Sequence, residues 1–425
     1  MLFPAFLLGF PSPLFRCVFT IMSSLRLLFL PCSIARQYPM AAIVFASMLG
    51  GTVLPHPAWA EPYIPADDTT IVERLRDRPL DRADQEFRHA RAQLRASPRD
   101  LPLATSVARR CIELSRRDGD PRYLGYAQAA LAPWWSMPDP PVAVLLMQAT
   151  ILQSTHAFEP ALEALQRASR IEPNNGQVWL TRATILQVQG RFDEAAASCD
   201  KLRQVGATLY ADACLAELKS LTGRAAEART TLERLALASS AVNPAASGAW
   251  LSIIQAELTE RMGDFDAAER SYRVALAAGN NAYSKGAYAD FLLDRGRAKE
   301  VIALVRNEQR ADPLLLRLAL AYRAVRHPDL GKTVAAIQAR FDAARLRGDT
   351  VHRREEARFA LHLLDRPDEA LKLALENWAV QKEPADARIL LEAAKAAGRD
   401  AEANPVRAFI RDQQLADQRL TALLK

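Results

Sequence analysis

The chain is poor in the residues that mark several protein classes. It has only five Cys and 17 Gly in 425 residues, so neither a disulfide framework nor a glycine-rich repeat can hold it together. Half of its residues are hydrophobic and 24% are charged, which excludes a disordered chain. Beyond residue 60 the charge is too dense for a multi-span membrane protein. Residues 1–60 contain no Asp, Glu or Lys, and only Arg16, Arg26 and Arg36. The remaining 52 basic residues stand against 49 acidic ones, so no large nucleic-acid footprint is implied.

What the first 60 residues do contain points to targeting. Residues 41–54 form an apolar run of signal-peptide length, with Arg26 and Arg36 on its N-terminal flank. Pro-His-Pro follows, then Ala58-Trp59-Ala60, a small-x-small site that predicts cleavage after Ala60. Two further apolar stretches, Leu2–Phe15 and Leu25–Ile34, precede Met40. They leave two readings open: a start downstream of Met1, or an uncleaved N-terminal anchor. The run before Pro55 is short of the ~20 residues a span needs. Membrane contact is therefore expected only through an unprocessed leader, and the mature chain is expected in the periplasm or secreted. Cys17 and Cys32 lack a lipobox-like setting, and residues 61–68 read as an exposed tail.

From residue 69 onward, period-2 alternation is almost absent. Apolar residues recur at helical spacing and are cut every 12–16 residues or so by Gly, Pro or Asp-Gly. Residues 142–175 and 176–209 superimpose at an offset of 34: Ala149 on Ala183, Leu152 on Leu186, Phe158 on Phe192, Ala161 on Ala195. Gly190, Gly223, Gly263 and Gly296 follow at steps of 33, 40 and 33, each just before a new helix start. The 40-residue step predicts a loop insertion over 236–247 around Asn243-Pro244.

On these residues the chain resembles the tetratricopeptide repeat family, over 142–313 most of all and less so over 350–398. The resemblance implies an all-α, right-handed superhelical solenoid of helix-turn-helix units. Small residues let helices A and B approach, large ones fill the gap to the next unit, and Pro closes it. The expected organisation is a leader over 1–60, N-terminal helical pairs over 61–140, a repeat core over 141–313, and degenerate repeat-like helices or a cap over 314–425.

In that family helix A lines the concave side. The resemblance therefore implies a groove built from Gln153, Gln177, Thr184, Gln187, Tyr210, Glu217, Trp250, Glu257, Glu260, Arg261, Tyr283, Asp290 and Asp294. Its first half is amide-rich and its second half acidic with aromatics, which would suit an extended peptide bearing Lys or Arg. An ordinary solvated face with inter-repeat packing is the competing reading. Trp134-Trp135 are either a contact surface or packing under a turn. Arg109-Arg110, Arg116-Arg117 and Arg353-Arg354 read as solvated faces.

Cys199 and Cys214 flank an expected turn at equal distances, so a disulfide is sterically open to them if both face the seam. Two buried free thiols are the alternative, and Cys111 is left unpaired. No catalytic set survives inspection. Gly331-Lys332-Thr333 lacks the upstream Gly and the strand of a phosphate loop. Ser198-Cys-Asp-Lys201 lies mid-helix without companion motifs. The histidines are scattered, so no metal or cofactor is expected. The expectation is a non-enzymatic scaffold in the cell envelope that binds a protein or peptide, not nucleic acid. The alternative is an accessory glycan- or cell-wall-binding subunit of an envelope polysaccharide machinery.

Overall fold

A computed structural model describes residues 82–242, 248–279, 281–346, 348 and 351–424. The leader, its cleavage site, residues 61–68 and the Asn243-Pro244 break all lie outside the described residues. Every described element is helical, with no strand among the described residues. The first helices are α1 (Arg82–Ala96), α2 (Leu101–Asp118), α3 (Arg122–Ala130) and the short α4 (Ala132–Trp135). Helix pairs follow: α5 (Val142–Ser154) with α6 (Phe158–Ile171), α7 (Gly176–Val188) with α8 (Phe192–Gln204), and α9 (Thr208–Leu221) with α10 (Ala225–Val242). Next come α11 (Gly248–Arg261) with α12 (Phe265–Ala278), α13 (Ala282–Asp294) with α14 (Ala298–Val305), and α15 (Asp312–Val325) with α16 (Leu330–Leu346). The chain ends in α17 (Arg353–His362) with α18 (Pro367–Trp378), α19 (Pro384–Ala396) with α20 (Asn404–Asp412), and α21 (Gln418–Thr421).

The first helix of each pair packs on its own partner and on the first helix of the next pair, the arrangement of a helix-pair solenoid. Small residues make this possible. Ala149, Ala161, Ala183 and Ala195 are all buried at the seams, while Phe158 and Phe192 fill the space beside them. Each burial of a large aliphatic such as Leu165, Ile185 or Leu186 contributes about 1.5–3 kcal/mol. Trp179 stitches one unit to the previous one by donating its indole N–H to the Pro173 carbonyl at 2.8 Å.

The turn between the two helices of a pair is built the same way each time. One residue adopts a left-handed conformation with φ between +54° and +82°: His156, Gly190, Gly223, Gly263, Gly296, Arg326, Asp365 and Gly398. In seven of these turns the next residue donates its N–H to the carbonyl five positions back, as Arg191 does to Leu186 at 2.8 Å. That bond satisfies a carbonyl the helix end leaves open. At Gly190 and Gly223 the need for glycine is double. A Cβ at Gly190 would stand 2.9 Å from the Phe409 ring, and one at Gly223 would stand 2.7 Å from the Gln414 side chain.

Two sequence expectations are corrected. The 40-residue step is not a loop from residue 236, because α10 continues helical to Val242. Its Ala-, Leu- and Ser-rich stretch has no breaker before Pro244. Arg354 is not on a solvated face: its side chain is 26% exposed and donates to Glu383 at 2.8 Å and to Asp386 at 3.2 Å. Trp134 and Trp135 are both half-buried against the N-terminal apolar cluster.

The C-terminal helices repeat the paired pattern and also share one apolar core with α5–α9. Phe409 meets Phe192 at 5.9 Å and Trp378 at 5.3 Å. The Lys382 N–H donates to the Val188 carbonyl at 2.8 Å. Among the described residues no helix is long and apolar enough to cross a membrane.

Candidate binding groove

The left-handed turns give the inner wall a register. Six residues before each turn stands a rung: Thr150, Thr184, Glu217, Glu257 and Asp290, on α5, α7, α9, α11 and α13 in turn. Three residues before stand Gln153, Gln187, Ser220 and Glu260. The repeat therefore stacks residues of one kind along one wall, changing from neutral to acidic between α7 and α9.

The neutral half is buried and partly hydrogen-bonded within itself. Gln153, Gln177, Thr184 and Gln187 are all at most 8% exposed. Thr184 donates to the Leu180 carbonyl at 3.0 Å, and Gln177 donates to Thr181 at 3.0 Å. Nearby, Gln381 of the C-terminal segment lies 3.2 Å from the His156 ring, whose pKa burial lowers to about 4.

Most of the acidic half is engaged by arginines from later in the chain. Asp294 takes both arms of Arg388, at 2.6 and 2.8 Å. Asp290 accepts from Arg317 at 2.5 Å and from Arg358 at 3.0 Å. Burial pushes the Asp290 carboxyl up, but the two guanidiniums outweigh it and hold the group well below the usual carboxylate range. Glu260, 3% exposed, accepts from the Tyr272 hydroxyl at 2.6 Å and from Arg419 at 3.2 Å. Nothing local in the sequence signals these arginines. Their acid partners lie 68, 94 and 159 positions away for Arg358, Arg388 and Arg419.

A second group of predicted residues meets around Glu217 and Glu257. Glu217 is fully buried. One carboxylate oxygen accepts from Gln187 at 2.8 Å, and the other has no hydrogen-bond partner. Burial pushes its pKa up to about 7, against the Gln187 hydrogen bond and with help from the neighbouring Glu257 charge. Burial also raises the Glu257 carboxyl, against the Tyr283 hydroxyl that donates to it at 2.5 Å. Among the described residues neither glutamate makes an ion pair. Arg261, 4% exposed, gives one arm to Ser220 at 2.7 Å. The Tyr210 and Trp250 rings lie 5.3 Å apart, Trp250 being buried. Tyr283 is 37% exposed, yet desolvation pushes its hydroxyl well above its ordinary range.

The remaining cysteines and clefts offer less chemistry. Cys199 of α8 and Cys214 of α9 are joined by a disulfide with a Cα–Cα distance of 6.0 Å. Cys111 is buried, and burial pushes its thiol up to about 11. A cleft between α15, α17 and α19 is lined by Lys395 and by two charge pairs, Arg323 with Asp365 at 2.8 Å and His362 with Glu392 at 3.1 Å. Among the described residues no group of three His, Cys, Asp or Glu could hold a metal ion.

The fold and this wall define an α-helical solenoid of tetratricopeptide-like helix pairs. No family model matches the chain, and no curated protein matches it. Similar solved structures include a chain of the APC/C hetero-tetramer Cut9–Hcn1, 13% identical, covering 77% of this chain and 63% of that one at a TM-score of 0.46. A tetratricopeptide repeat protein from Parabacteroides merdae is 15% identical over 59% of this chain and 98% of its own, with a TM-score of 0.35. Yeast Tom70 is 17% identical over 78% of this chain and 61% of its own, with a TM-score of 0.32. The chain thus spans less than two thirds of the Cut9–Hcn1 and Tom70 chains it matches.

Proposed function

We propose that the protein is an exported, non-catalytic binding scaffold of the cell envelope, and that its inner wall takes an extended, Lys- or Arg-bearing stretch of a partner protein. The observation that carries the reading is that the wall already holds polypeptide: the chain's own C-terminal segment. That segment presents a backbone N–H to Val188 and guanidinium groups to Glu260, Asp290 and Asp294. Contacts of the same kind would read a foreign strand bearing cations at Glu217 and Glu257, the acids of the wall that make no ion pair among the described residues. The export part of the reading rests on the apolar run at 41–54 and Ala58-Trp59-Ala60. The glycan-binding alternative needs open ring faces, and Trp250 is 4% exposed.

The test places a photo-crosslinking amino acid at Tyr283, and as controls at the exposed Ile171 and Val274. Irradiation of intact cells is expected to give one discrete adduct from position 283, in the envelope fraction. Adducts from the controls alone, or from none of the three, would refute a groove-binding scaffold. N-terminal sequencing of the purified protein is expected to begin at Glu61.

A further inference from the structure

We propose that Glu217 and Glu257, with Tyr283 at the rim, form a socket for one primary ammonium group carried by an extended peptide. The inference rests on the scaffold reading and names what that wall selects. Glu217, Glu257 and Asp290 occupy the same position in three successive repeats, six residues before the left-handed turn. At the Asp290 rung two guanidiniums neutralise the acid. At the Glu217 and Glu257 rungs, among the described residues, no cation is bonded to either carboxylate. A buried carboxylate with no counter-charge is costly, and two that sense each other cost more. Glu217 carries the independent sign of a missing ligand: it is fully buried, and one of its oxygens meets no donor.

The donor geometry selects the kind of cation. Each carboxylate has one oxygen already committed, to Gln187 and to the Tyr283 hydroxyl. What is left is single acceptors from two adjacent helices, not the paired edge that the two arms of Arg388 find on Asp294. A compact group with three diverging donors fits such acceptors, whereas a planar fork does not. The aromatic Tyr210–Trp250 pair stands on the same helices, α9 and α11.

The test uses the purified protein with its disulfide intact, at pH 8, by calorimetry and tryptophan fluorescence. The probes are an end-blocked Gly/Ser nonapeptide with one central Lys, its Nε-acetyl-lysine and Arg counterparts, and free spermidine. The Lys peptide is expected to bind at least tenfold tighter than the other three. Glu217→Gln and Glu257→Gln are each expected to weaken the Lys peptide at least tenfold and leave the acetylated one unchanged. Circular dichroism checks folding, and the half-buried Glu257 serves if Glu217→Gln misfolds. Equal binding of the Lys and acetyl-Lys peptides overturns the socket, as does wild-type binding by both variants or no binding of any probe. An Arg peptide as tight as the Lys one overturns the preference for ammonium. Spermidine tighter than the peptide overturns the peptide as the source. A crosslink from position 283 that survives in Glu217→Gln sinks the socket while the scaffold reading stands.

Discussion

Replacing Glu217 by Gln should remove a pH dependence from the stability of the protein. Burial pushes this carboxyl from its ordinary 4.5 up to about 7, so the folded state holds a proton that the unfolded chain releases. Stability from this group is complete below about pH 4.5, falls as pH rises through 7, and is flat above. At 1.36 kcal/mol for each pH decade, the loss in the unliganded wild type is about 3 kcal/mol. Gln is close in shape to the protonated acid and keeps the same donor-acceptor length. The variant should match the wild type at pH 4.5 and exceed it by about 3 kcal/mol at pH 8. His156 works in the opposite sense, since burial lowers its pKa to about 4 and its protonation destabilises the fold as pH falls below 6.5. It is common to both proteins and cancels in the difference. Urea denaturation at the two pH values, followed by circular dichroism, measures that difference. A gap between variant and wild type that is the same at pH 4.5 and pH 8 would refute the burial of an uncompensated acid at Glu217.

Reduction of the Cys199–Cys214 bridge, or Cys199→Ser with Cys214→Ser, should cost about 3 kcal/mol for a loop of 15 residues, read as a lower urea midpoint. In the non-reduced native protein, none of Cys111, Cys199 and Cys214 should be alkylated. Arg419→Met should cost about 3 kcal/mol or more, because it strands both the buried Asp417 and the buried Glu260, and adding Glu260→Gln should recover only the Glu260 part in a double-mutant cycle. Gly190→Ala should lower the thermal midpoint by several degrees, since it forces a methyl into both a left-handed backbone and the Phe409 ring.

The repeat was legible because its determinants are local. Ala149, Phe158, Ala161 and their counterparts one period later carry the helix-pair signal within a short window, and Gly at 190, 223, 263 and 296 marks the turns. His156 and Arg326 serve the same turn without glycine, so that signal was silent there. The placement of Tyr210, Glu217, Trp250, Glu257 and Tyr283 on first helices followed from the period together with the tetratricopeptide resemblance. What was not legible is which acids meet a cation. Arg358, Arg388 and Arg419 reach Asp290, Asp294 and Glu260 across several repeats, and no window of sequence contains both partners. One practical result is that charge reversal at Glu260 would put a Lys where a buried acid meets Arg419, confounding binding with misfolding. Neutral variants at Glu217 and Glu257 avoid that.

Solenoids built from neighbour-only contacts can begin folding at any unit and spread outward. The bond between Val188 and Lys382, and the seat of Phe409 beside Gly190, break that freedom here. The first pairs bury part of their apolar surface against residues made far later in the chain, as Phe192 does against Phe409. A chain made from its N-terminus therefore cannot finish these units until the last helices arrive. It should fold slowly for an all-helical protein and stay open to proteases and holdase chaperones until its C-terminus has been made.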